Sequence, residues 1–389
     1  MNHKLSNALK DPQKPLPIAF VGGGINSAVG RVHRIAIELD KRFELVSGCF
    51  SREAKENIET GRDYGITDER LYDDLDGLLS HETGRIAAIV VLTPTPGHYK
   101  DIVKCLEAGI AVISEKALCM TSAEALELQQ LSEQKRGFLA VTYNYSGYPM
   151  LRELKEMIFE GRLGKIHQII AEMPQEGFLR LSVAGLRPTP QDWRLSDKAL
   201  PTISLDLGVH LHQLVRFLTG ESPLETIAVE SSNGFFPAVI DNVSAITRYS
   251  GDMLCNTWYS KVSLGERNGF KVRIFGSEGS AEWIQTDPEN LVFCDNRGTT
   301  QKIDRGGNAK VASQGRYTRF KAGHPSGFIE AFANLYADLA EALRAHHNGG
   351  NLPQEVAQYL NGAEVAAEGL AFLEAVKASV EGKCWTKIC

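Results

Sequence analysis

Short apolar runs alternate with helix-like segments over the N-terminal part of the chain. A run at residues 16–21 stops at three consecutive glycines, which is typical of a buried parallel strand that ends in a tight turn. Further apolar runs lie at residues 43–50, 86–92 and 111–113. Segments with helical periodicity lie at residues 101–108 and 122–134. This alternation indicates βαβ units with right-handed crossovers. It predicts an α/β domain of the Rossmann type, with a doubly wound parallel sheet, over residues 16–142.

The pattern changes after about Tyr143, where β-rich runs follow one another without helices between them. Such consecutive strands predict an antiparallel or mixed sheet, and therefore an α+β domain over residues 143–352. Its predicted strands are residues 165–174, 225–231, 239–250, 252–262 and 269–276, and its predicted helices are residues 150–160, 203–219 and 326–345.

Three segments fall outside this pattern. Residues 1–15 contain two prolines and three lysines and are predicted to be a flexible tail. Residues 296–321 are rich in Gly, Lys and Arg without a clear period, which indicates a long surface excursion. Residues 353–389 are predicted to form a C-terminal helix that packs back on the Rossmann domain.

The composition is that of an ordinary globular protein, with 43% hydrophobic and 23% charged residues in 389. Lys and Arg number 42 against 48 Asp and Glu, and the formal charge of −6 disfavours a nucleic-acid partner. The longest apolar stretch, residues 86–92, is far shorter than the roughly 20 residues of a membrane-spanning helix, so no membrane partner is expected. These exclusions favour a small-molecule substrate.

The seven cysteines form no C-x-x-C pair and have no histidine at zinc spacing. This usage favours a reducing compartment, and we predict no metal site. The start of the chain also lacks the apolar segment that an export signal needs. We therefore expect a cytoplasmic protein.

The glycine-rich turn after the first predicted strand is a partial dinucleotide-binding motif. Gly22 and Gly24 fit the first two positions of G-x-G-x-x-G, but Ser27 occupies the third and the next glycine is Gly30. Three glycines in a row are also an ordinary turn, and the surrounding βαβ pattern favours the cofactor site. The predicted cofactor is NAD(P), held at this turn by Gly22, Gly24, Ile25 and Asn26.

The end of the second predicted strand bears on the choice between NAD and NADP. An NAD enzyme commonly places an acid there for the ribose 2′-hydroxyl, and residues 48–52 contain none. Ser51 and Arg52 are suited instead to a 2′-phosphate, because a guanidinium is a planar fork of donors. The pair favours NADP, against the alternative that Arg52 is simply a solvated charge.

Three further stretches carry a family resemblance. They are Thr93-Pro94-Thr95-Pro96-Gly97-His98, Glu115-Lys116-Ala117 and Asp206-Leu207-Gly208-Val209-His210. In this order and spacing the chain resembles the Gfo/Idh/MocA family of glucose-fructose oxidoreductase-like and inositol dehydrogenase-like enzymes. The resemblance implies a second domain with a large open, mostly antiparallel sheet that often mediates oligomerisation, so a homodimer or homotetramer is expected. It also implies substrates that are sugars, cyclitols or their derivatives.

The same resemblance implies roles at the cofactor. It places Thr93, Pro94 and His98 under the nicotinamide half, with Glu115 and Lys116 as further cofactor contacts. The alternative for the first three is ordinary chemistry of a strand-to-helix turn. The family usually has a proline after the Glu-Lys pair, and this chain has Ala117.

The catalytic residues follow from what hydride transfer needs, which is a base for the hydroxyl proton and a cation near the substrate oxygen. Asp206 and His210 are four residues apart on a predicted helix and share one face. We predict that His210 is the general base in oxidation, or the acid in reduction, that Asp206 tunes it, and that Lys116 polarises the oxygen. Which of Lys116 and His210 transfers the proton stays open.

Candidate substrate contacts are Asn144, Trp193, Arg194 and His210. Trp193 offers an aromatic face to a sugar ring and Arg194 a cation to an anionic group, although a Trp that only packs in the core is an equal alternative. His212 is predicted to point to a different face from His210, which opposes a His-x-His metal site.

The predicted function is an NAD(P)-dependent dehydrogenase or reductase that acts on CH–OH groups of a sugar, a cyclitol or a sugar derivative, including nucleotide-linked ones. Two alternatives use the same fold. One is a hydrolase or epimerase that retains its cofactor and oxidises its substrate transiently. The other is a non-catalytic regulator that senses dinucleotides.

Overall fold

A computed structural model of the chain describes residues 3–307 and 309–389. The chain forms two compact units, and both are discontinuous in sequence. The first unit contains the chain up to Cys119, Ala123–Gly147 and Phe328–Ala366. The second contains Met120–Ser122, Tyr148–Gly327 and Ala367–Cys389.

The first unit is built on a parallel sheet of five strands in the described part of the chain. The order is β2-β1-β3-β4-β5, and every neighbouring pair is parallel. This confirms the predicted Rossmann sheet. The strands are β1 (Leu16–Gly22), β2 (Phe43–Cys49), β3 (Ala88–Leu92), β4 (Val112–Glu115) and β5 (Leu139–Thr142).

The helices of the first unit bury apolar side chains against this sheet. Phe20 of β1, Val90 of β3 and Ile113 of β4 lie in one buried cluster with side chains from α1, α2 and α9. Helices are numbered in chain order, and those of this unit are α1 (His3–Lys10), α2 (Ala28–Leu39), α3 (Ala54–Asp63), α4 (Leu75–Glu82), α5 (Thr95–Glu107), α6 (Ser122–Gln134), α9 (Phe328–Asn348) and α10 (Gln354–Ala357).

Residues 3–15 differ from the flexible tail predicted at residues 1–15, because α1 is a helix packed on α9. Residues 1 and 2 lie outside the described part of the chain. Leu5 and Leu9 are buried in the core of the first unit. Asn348 on α9 also donates from Nδ2 to the Leu9 carbonyl at 3.1 Å. An isolated helix of this length is not stable in water, so α1 depends on a tertiary contact that the local pattern does not reveal.

The second unit contains a mixed sheet of nine strands within the described residues. Strands β6 and β9 are parallel neighbours and the other neighbouring pairs are antiparallel, which confirms the predicted open, mostly antiparallel sheet. The order is β13-β12-β11-β10-β6-β9-β8-β7-β14. The strands are β6 (Ile166–Pro174), β7 (Pro223–Ser231), β8 (Asn242–Tyr249), β9 (Met253–Ser260), β10 (Lys271–Gly276), β11 (Gly279–Ile284), β12 (Asn290–Asp295), β13 (Thr300–Asp304) and β14 (Thr386–Lys387).

The helices of this unit are α7 (Pro149–Phe159), α8 (Val209–Thr219) and α11 (Ala363–Gly382), whose first residues lie in the first unit. A π-helix at Ser204–Gly208 precedes α8, where one continuous helix was predicted. None of the helices in residues 3–307 and 309–389 is long and apolar enough to cross a membrane.

Residues 296–321 were predicted as a surface excursion, and the described residues of this segment, 296–307 and 309–321, contribute instead to the body of the second unit. They contain β13 and the buried side chains of Val311 and Tyr317. The buried carboxylate of Glu153 accepts backbone N–H groups of Lys310, Val311 and Ala312 at 2.6–3.1 Å. The polar composition of this segment does not reveal that a carboxylate on the distant helix α7 binds its backbone.

The end of the chain is also divided differently from the predicted domains, because Phe328–Ala366 belongs to the first unit, whereas residues 143–352 were predicted in the second domain and residues 353–389 as a helix on the first. The helix that completes the first unit is mainly α9, whose Phe332, Leu335 and Leu339 lie in its core. Residues 367–389 belong to the second unit, where β14 pairs with β7. An amphipathic stripe predicts that α9 is buried, but it does not say against which sheet.

The packing of α1 makes a prediction about stability. Leu9→Ala should lower the free energy of unfolding by about 2–4 kcal/mol, because it removes a buried side chain and leaves a cavity. The matched control is Leu126→Ala on α6, where the leucine is 48% exposed. Urea denaturation measures both. If both variants lowered the free energy of unfolding equally, α1 would not be packed in the core, and the prediction of a flexible tail would be correct.

Candidate functional site

The glycine-rich turn after β1 brings three backbone segments together so closely that side chains do not fit. Gly22 and Gly23 have φ angles of +79° and +73°. A Cβ on Gly22 would lie 2.7 Å from the Thr93 nitrogen, and one on Gly30 would lie 2.2 Å from the Gly23 carbonyl oxygen. Gly30 on α2 therefore allows the close approach of helix and turn that the third glycine of the motif normally provides.

This turn lies at the place where the sheet order reverses. Strand β1 has β2 on one side and β3 on the other, and Gly22 pairs with Leu92 where β1 and β3 end. Open α/β sheets bind ligands in the crevice at such a switch point. Ser27 caps α2 there, and its Oγ accepts the Gly30 N–H at 3.1 Å. The three glycines after β1 and the N-terminus of α2 fit the pyrophosphate of a dinucleotide.

The other residues predicted at the turn contact helix α3. Ile25 donates its N–H to Thr60 Oγ1 at 3.1 Å, and Asn26 donates from Nδ2 to Glu56 Oε1 at 2.9 Å. Ser51 donates its hydroxyl to the other oxygen of Glu56 at 2.7 Å. Arg52 is exposed, and it makes no hydrogen bond or ion pair with the residues that the structure describes.

Glu56 was missed by the sequence analysis. An acid for the ribose is expected at the end of β2, whereas Glu56 lies in the first turn of α3, five residues after Ser51. An acid in the first turn of the helix that follows β2 is the signal that could have found it.

The segment after β3 contains Thr93 and Pro94, and Pro94 is the N-cap of α5. Thr93 donates its hydroxyl to Asp101 at 2.8 Å. His98 is buried, with Nε2 2.6 Å from the Thr93 carbonyl oxygen and Nδ1 2.9 Å from that of Ala117. Burial lowers the pKa of His98, and a neutral ring donates to only one of these acceptors. The ring therefore joins the turn after β3 to the segment after β4.

The carboxylate of Glu115, at the end of β4, lies in a buried polar network. Its Oε1 is 3.0 Å from His33 Nε2 and accepts the Thr142 hydroxyl at 2.5 Å. His33 Nδ1 is 2.6 Å from the Tyr336 hydroxyl of α9. Burial raises the pKa of Glu115, but the hydrogen bond and charge of His33, together with Lys116 and Thr142, outweigh it and hold that pKa below its usual value.

Lys116 and Asn144 follow the ends of β4 and β5. Lys116 is partly exposed, and the Lys116–Ala117 peptide is cis. Asn144 is 3% exposed, and its Nδ2 has no hydrogen-bond partner among the described residues. A buried donor of this kind is suited to an acceptor on a ligand. Thr93, Lys116 and Asn144 thus follow three adjacent strands of one sheet, at their carboxyl ends.

In the second unit, Asp206 lies in the π-helix and His210 in the first turn of α8. The Asp206 carboxylate accepts Arg194 Nη1 at 2.6 Å and Lys261 Nζ at 2.5 Å. Lys261 follows β9 and is 8% exposed. The sequence analysis missed it, because a single lysine after a strand carries no signal that it pairs with an aspartate 55 positions earlier.

Three other predicted positions have clear surroundings in the second unit. The Arg194 guanidinium lies 4.5 Å from the Trp193 ring centre, and Trp193 Nε1 donates to Gln191 at 2.9 Å. His212 is buried, with Nε2 2.9 Å from Glu368 Oε1. Among the described residues, no group of three or more His, Cys, Asp or Glu side chains could hold a metal ion.

The structure therefore brings the predicted residues together in two sets. Within the first unit it groups the glycine turn, Ser51, Thr93, Lys116 and Asn144 along the carboxyl edge of the parallel sheet. Within the second unit it groups Trp193 and Arg194 with Asp206, and it places His210 four residues after Asp206.

Comparison with known proteins gives matches for both parts of the chain. Residues 16–143 match "Oxidoreductase family, NAD-binding Rossmann fold", and residues 151–282 match "GFO/IDH/MocA C-terminal domain". The "uncharacterized oxidoreductase YfiI" of Bacillus subtilis is 30% identical over 386 residues, which cover 96% of this chain and 97% of that protein. The chain belongs to the Gfo/Idh/MocA family of oxidoreductases.

One solved structure and one further relative are also similar to the chain. The structure is an inositol dehydrogenase homolog from Azotobacter vinelandii, complexed with NADH and myo-inositol. It is 29% identical with a TM-score of 0.85, and the match covers 96% of this chain and 98% of that one. A "D-xylose 1-dehydrogenase (NADP(+))" from Hypocrea jecorina is 26% identical over 62% of this chain and 64% of its own length.

The tight turn predicts the effect of adding one methyl group. Gly30→Ala should lower the free energy of unfolding by about 1–3 kcal/mol, because the new Cβ would meet the Gly23 carbonyl. The control is Gly77→Ala on helix α4, where the new Cβ would lie 3.4 Å from its nearest neighbour, Asp74 Oδ1. That change should stabilise the chain or leave it unaltered. Thermal unfolding compares the two, and a Gly30→Ala protein as stable as wild type would contradict the described turn.

The ion pair between Asp206 and Lys261 makes a second prediction about stability. Lys261→Met should lower the free energy of unfolding by about 1–3 kcal/mol, because a partly buried carboxylate loses a charged donor. The control is Lys104→Met, since Lys104 pairs with Asp76 on the surface with both side chains about half exposed or more. Urea titrations should separate the two variants. If both lose the same small amount, Lys261 does not anchor Asp206.

Proposed function

We propose that this protein is an NAD(P)-dependent dehydrogenase or reductase that acts on the secondary alcohol or ketone of a sugar, a cyclitol or a sugar derivative. The observation that carries the proposal is the row of Thr93, Lys116 and Asn144 after adjacent strands, in the unit whose glycine turn fits a dinucleotide. The myo-inositol bound by the Azotobacter vinelandii homolog supports a polyhydroxylated substrate.

The chain's own residues have two tasks in such a reaction. A bound NAD(P) would supply the hydride acceptor for oxidation or the hydride donor for reduction. In oxidation, His210 accepts the hydroxyl proton of the substrate, and in reduction it returns a proton to the oxygen. The ammonium group of Lys116 stabilises the negative charge that develops on that oxygen. A role of Lys116 in the proton transfer itself remains an open alternative.

Asp206 supports His210 in this proposal, from the helical turn that precedes it. The two charge-assisted hydrogen bonds from Arg194 and Lys261 fix the position of its carboxylate. Because Arg194 already binds Asp206, an anionic group on the substrate would have to share this cation. Trp193 remains a candidate surface for a sugar ring.

The cofactor is proposed only as NAD(P). Ser51 and Arg52 favour NADP, whereas the carboxylate of Glu56 beside Ser51 opposes a 2′-phosphate. A homodimer or homotetramer and a cytoplasmic location stay predictions from the sequence and the family.

Two substitutions test the proposed roles. Lys116→Met and His210→Ala should each lower the turnover number at least about 100-fold. The first removes the cation that stabilises negative charge on the substrate oxygen, and the second removes the group that transfers the proton. The dissociation constant for the cofactor should change little. Turnover is read from nicotinamide absorbance with a panel of sugars and cyclitols that includes myo-inositol.

The matched controls are Lys135→Met and His167→Ala, which alter exposed side chains and should leave turnover unchanged. If Lys116→Met and His210→Ala turn over substrate at the wild-type rate, the assigned roles are wrong. Substrate turnover with retained cofactor and no net reduction would point to the epimerase or hydrolase alternative.

A further inference from the structure

Glu56 occupies an unusual place for an acid near the cofactor. It belongs to α3 and not to the end of β2, yet its carboxylate lies against the glycine turn. A Cβ built on Gly24 would be 3.1 Å from Glu56 Oε1. In Rossmann domains this region, beyond the end of the second strand, holds the adenosine ribose.

Two hydrogen bonds fix both oxygens of this carboxylate. Asn26 of the glycine turn donates to Oε1 at 2.9 Å, and Ser51 after β2 donates to Oε2 at 2.7 Å. The first turn of a helix is also a favourable place for an anion, because the free N–H groups there carry partial positive charge. The partly buried Glu56 carboxylate is therefore hydrogen-bonded both to the glycine turn and to the segment after β2.

The bond from Ser51 changes what its hydroxyl can do. Ser51 Oγ donates its one hydrogen to Glu56 and accepts the Glu53 N–H at 3.2 Å. While this arrangement holds, Ser51 has no proton to donate to phosphate oxygens. Arg52 is the one group of the Ser51-Arg52 pair that could attract a 2′-phosphate, and its side chain is exposed.

We propose that Glu56 is a specificity-determining residue that makes the chain prefer NAD over NADP. Its carboxylate accepts a ribose hydroxyl and repels a 2′-phosphate, which carries more negative charge than any other part of the adenosine half. This inference rests on the proposed NAD(P) site. It reverses the preference for NADP that the Ser51-Arg52 pair alone suggests.

The test is calorimetric titration of the purified chain with NAD and with NADP, without substrate. Wild type should bind NAD at least about tenfold more tightly than NADP. Glu56→Gln keeps the size of the side chain and an oxygen for Asn26, but it removes the charge, so this preference should fall by about tenfold. The matched control is Glu59→Gln on the same helix, where the glutamate is exposed, and it should leave the preference unchanged.

Each other outcome has a distinct meaning. Equal affinities in wild type, or a preference that Glu56→Gln does not alter, would overturn the role of Glu56. Tighter binding of NADP that is lost in Arg52→Ala would overturn it too, and would restore the Ser51-Arg52 pair as the phosphate site. Binding of neither nucleotide would instead refute the proposed function.

Discussion

The close approach of β1, β3 and α2 at the glycine turn is the constraint on which the first unit depends. Gly22 touches the backbone after β3 and Gly30 touches the Gly23 carbonyl, so even one methyl group at either position would separate these elements. The approach aligns the ends of β1 and β3 at the switch point and directs the N-terminus of α2 to the same place. The residues after β3, β4 and β5 lie along one edge of the sheet because these strands end there.

A buried polar network extends this constraint to the end of β4. His33, on the helix that starts at the glycine turn, contacts both Glu115 and Tyr336. Glu115 is in turn bound by Thr142 and precedes Lys116. Because Tyr336 lies on α9, the segment that returns to the first unit from late in the chain helps to hold the strand end that carries Lys116. His98 adds a second connection, from the turn after β3 to Ala117.

The sequence predicted what depends on local pattern and missed what depends on distant contacts. Apolar runs located strands such as β1 and β2, and three consecutive glycines located the turn. Helix α1 was missed, because a helix of eight residues is stable only when it packs against other elements, here α9 and β1. Glu56 and Lys261 were missed for a similar reason: each meets its partners only after the chain has folded. The predicted pairing of Ser51 with Arg52 for a phosphate assumed that the Ser51 hydroxyl was available, and only the structure places Glu56 beside it.

Direct hydride transfer between substrate and nicotinamide can be followed with an isotope on the transferred hydrogen. A substrate found in the sugar and cyclitol panel would be labelled with deuterium on its carbinol carbon and incubated with the enzyme and oxidised cofactor. Direct transfer predicts that the recovered cofactor carries the deuterium on its nicotinamide ring, as read by mass spectrometry. Consumption of the labelled substrate with no deuterium in the cofactor at any time would contradict it.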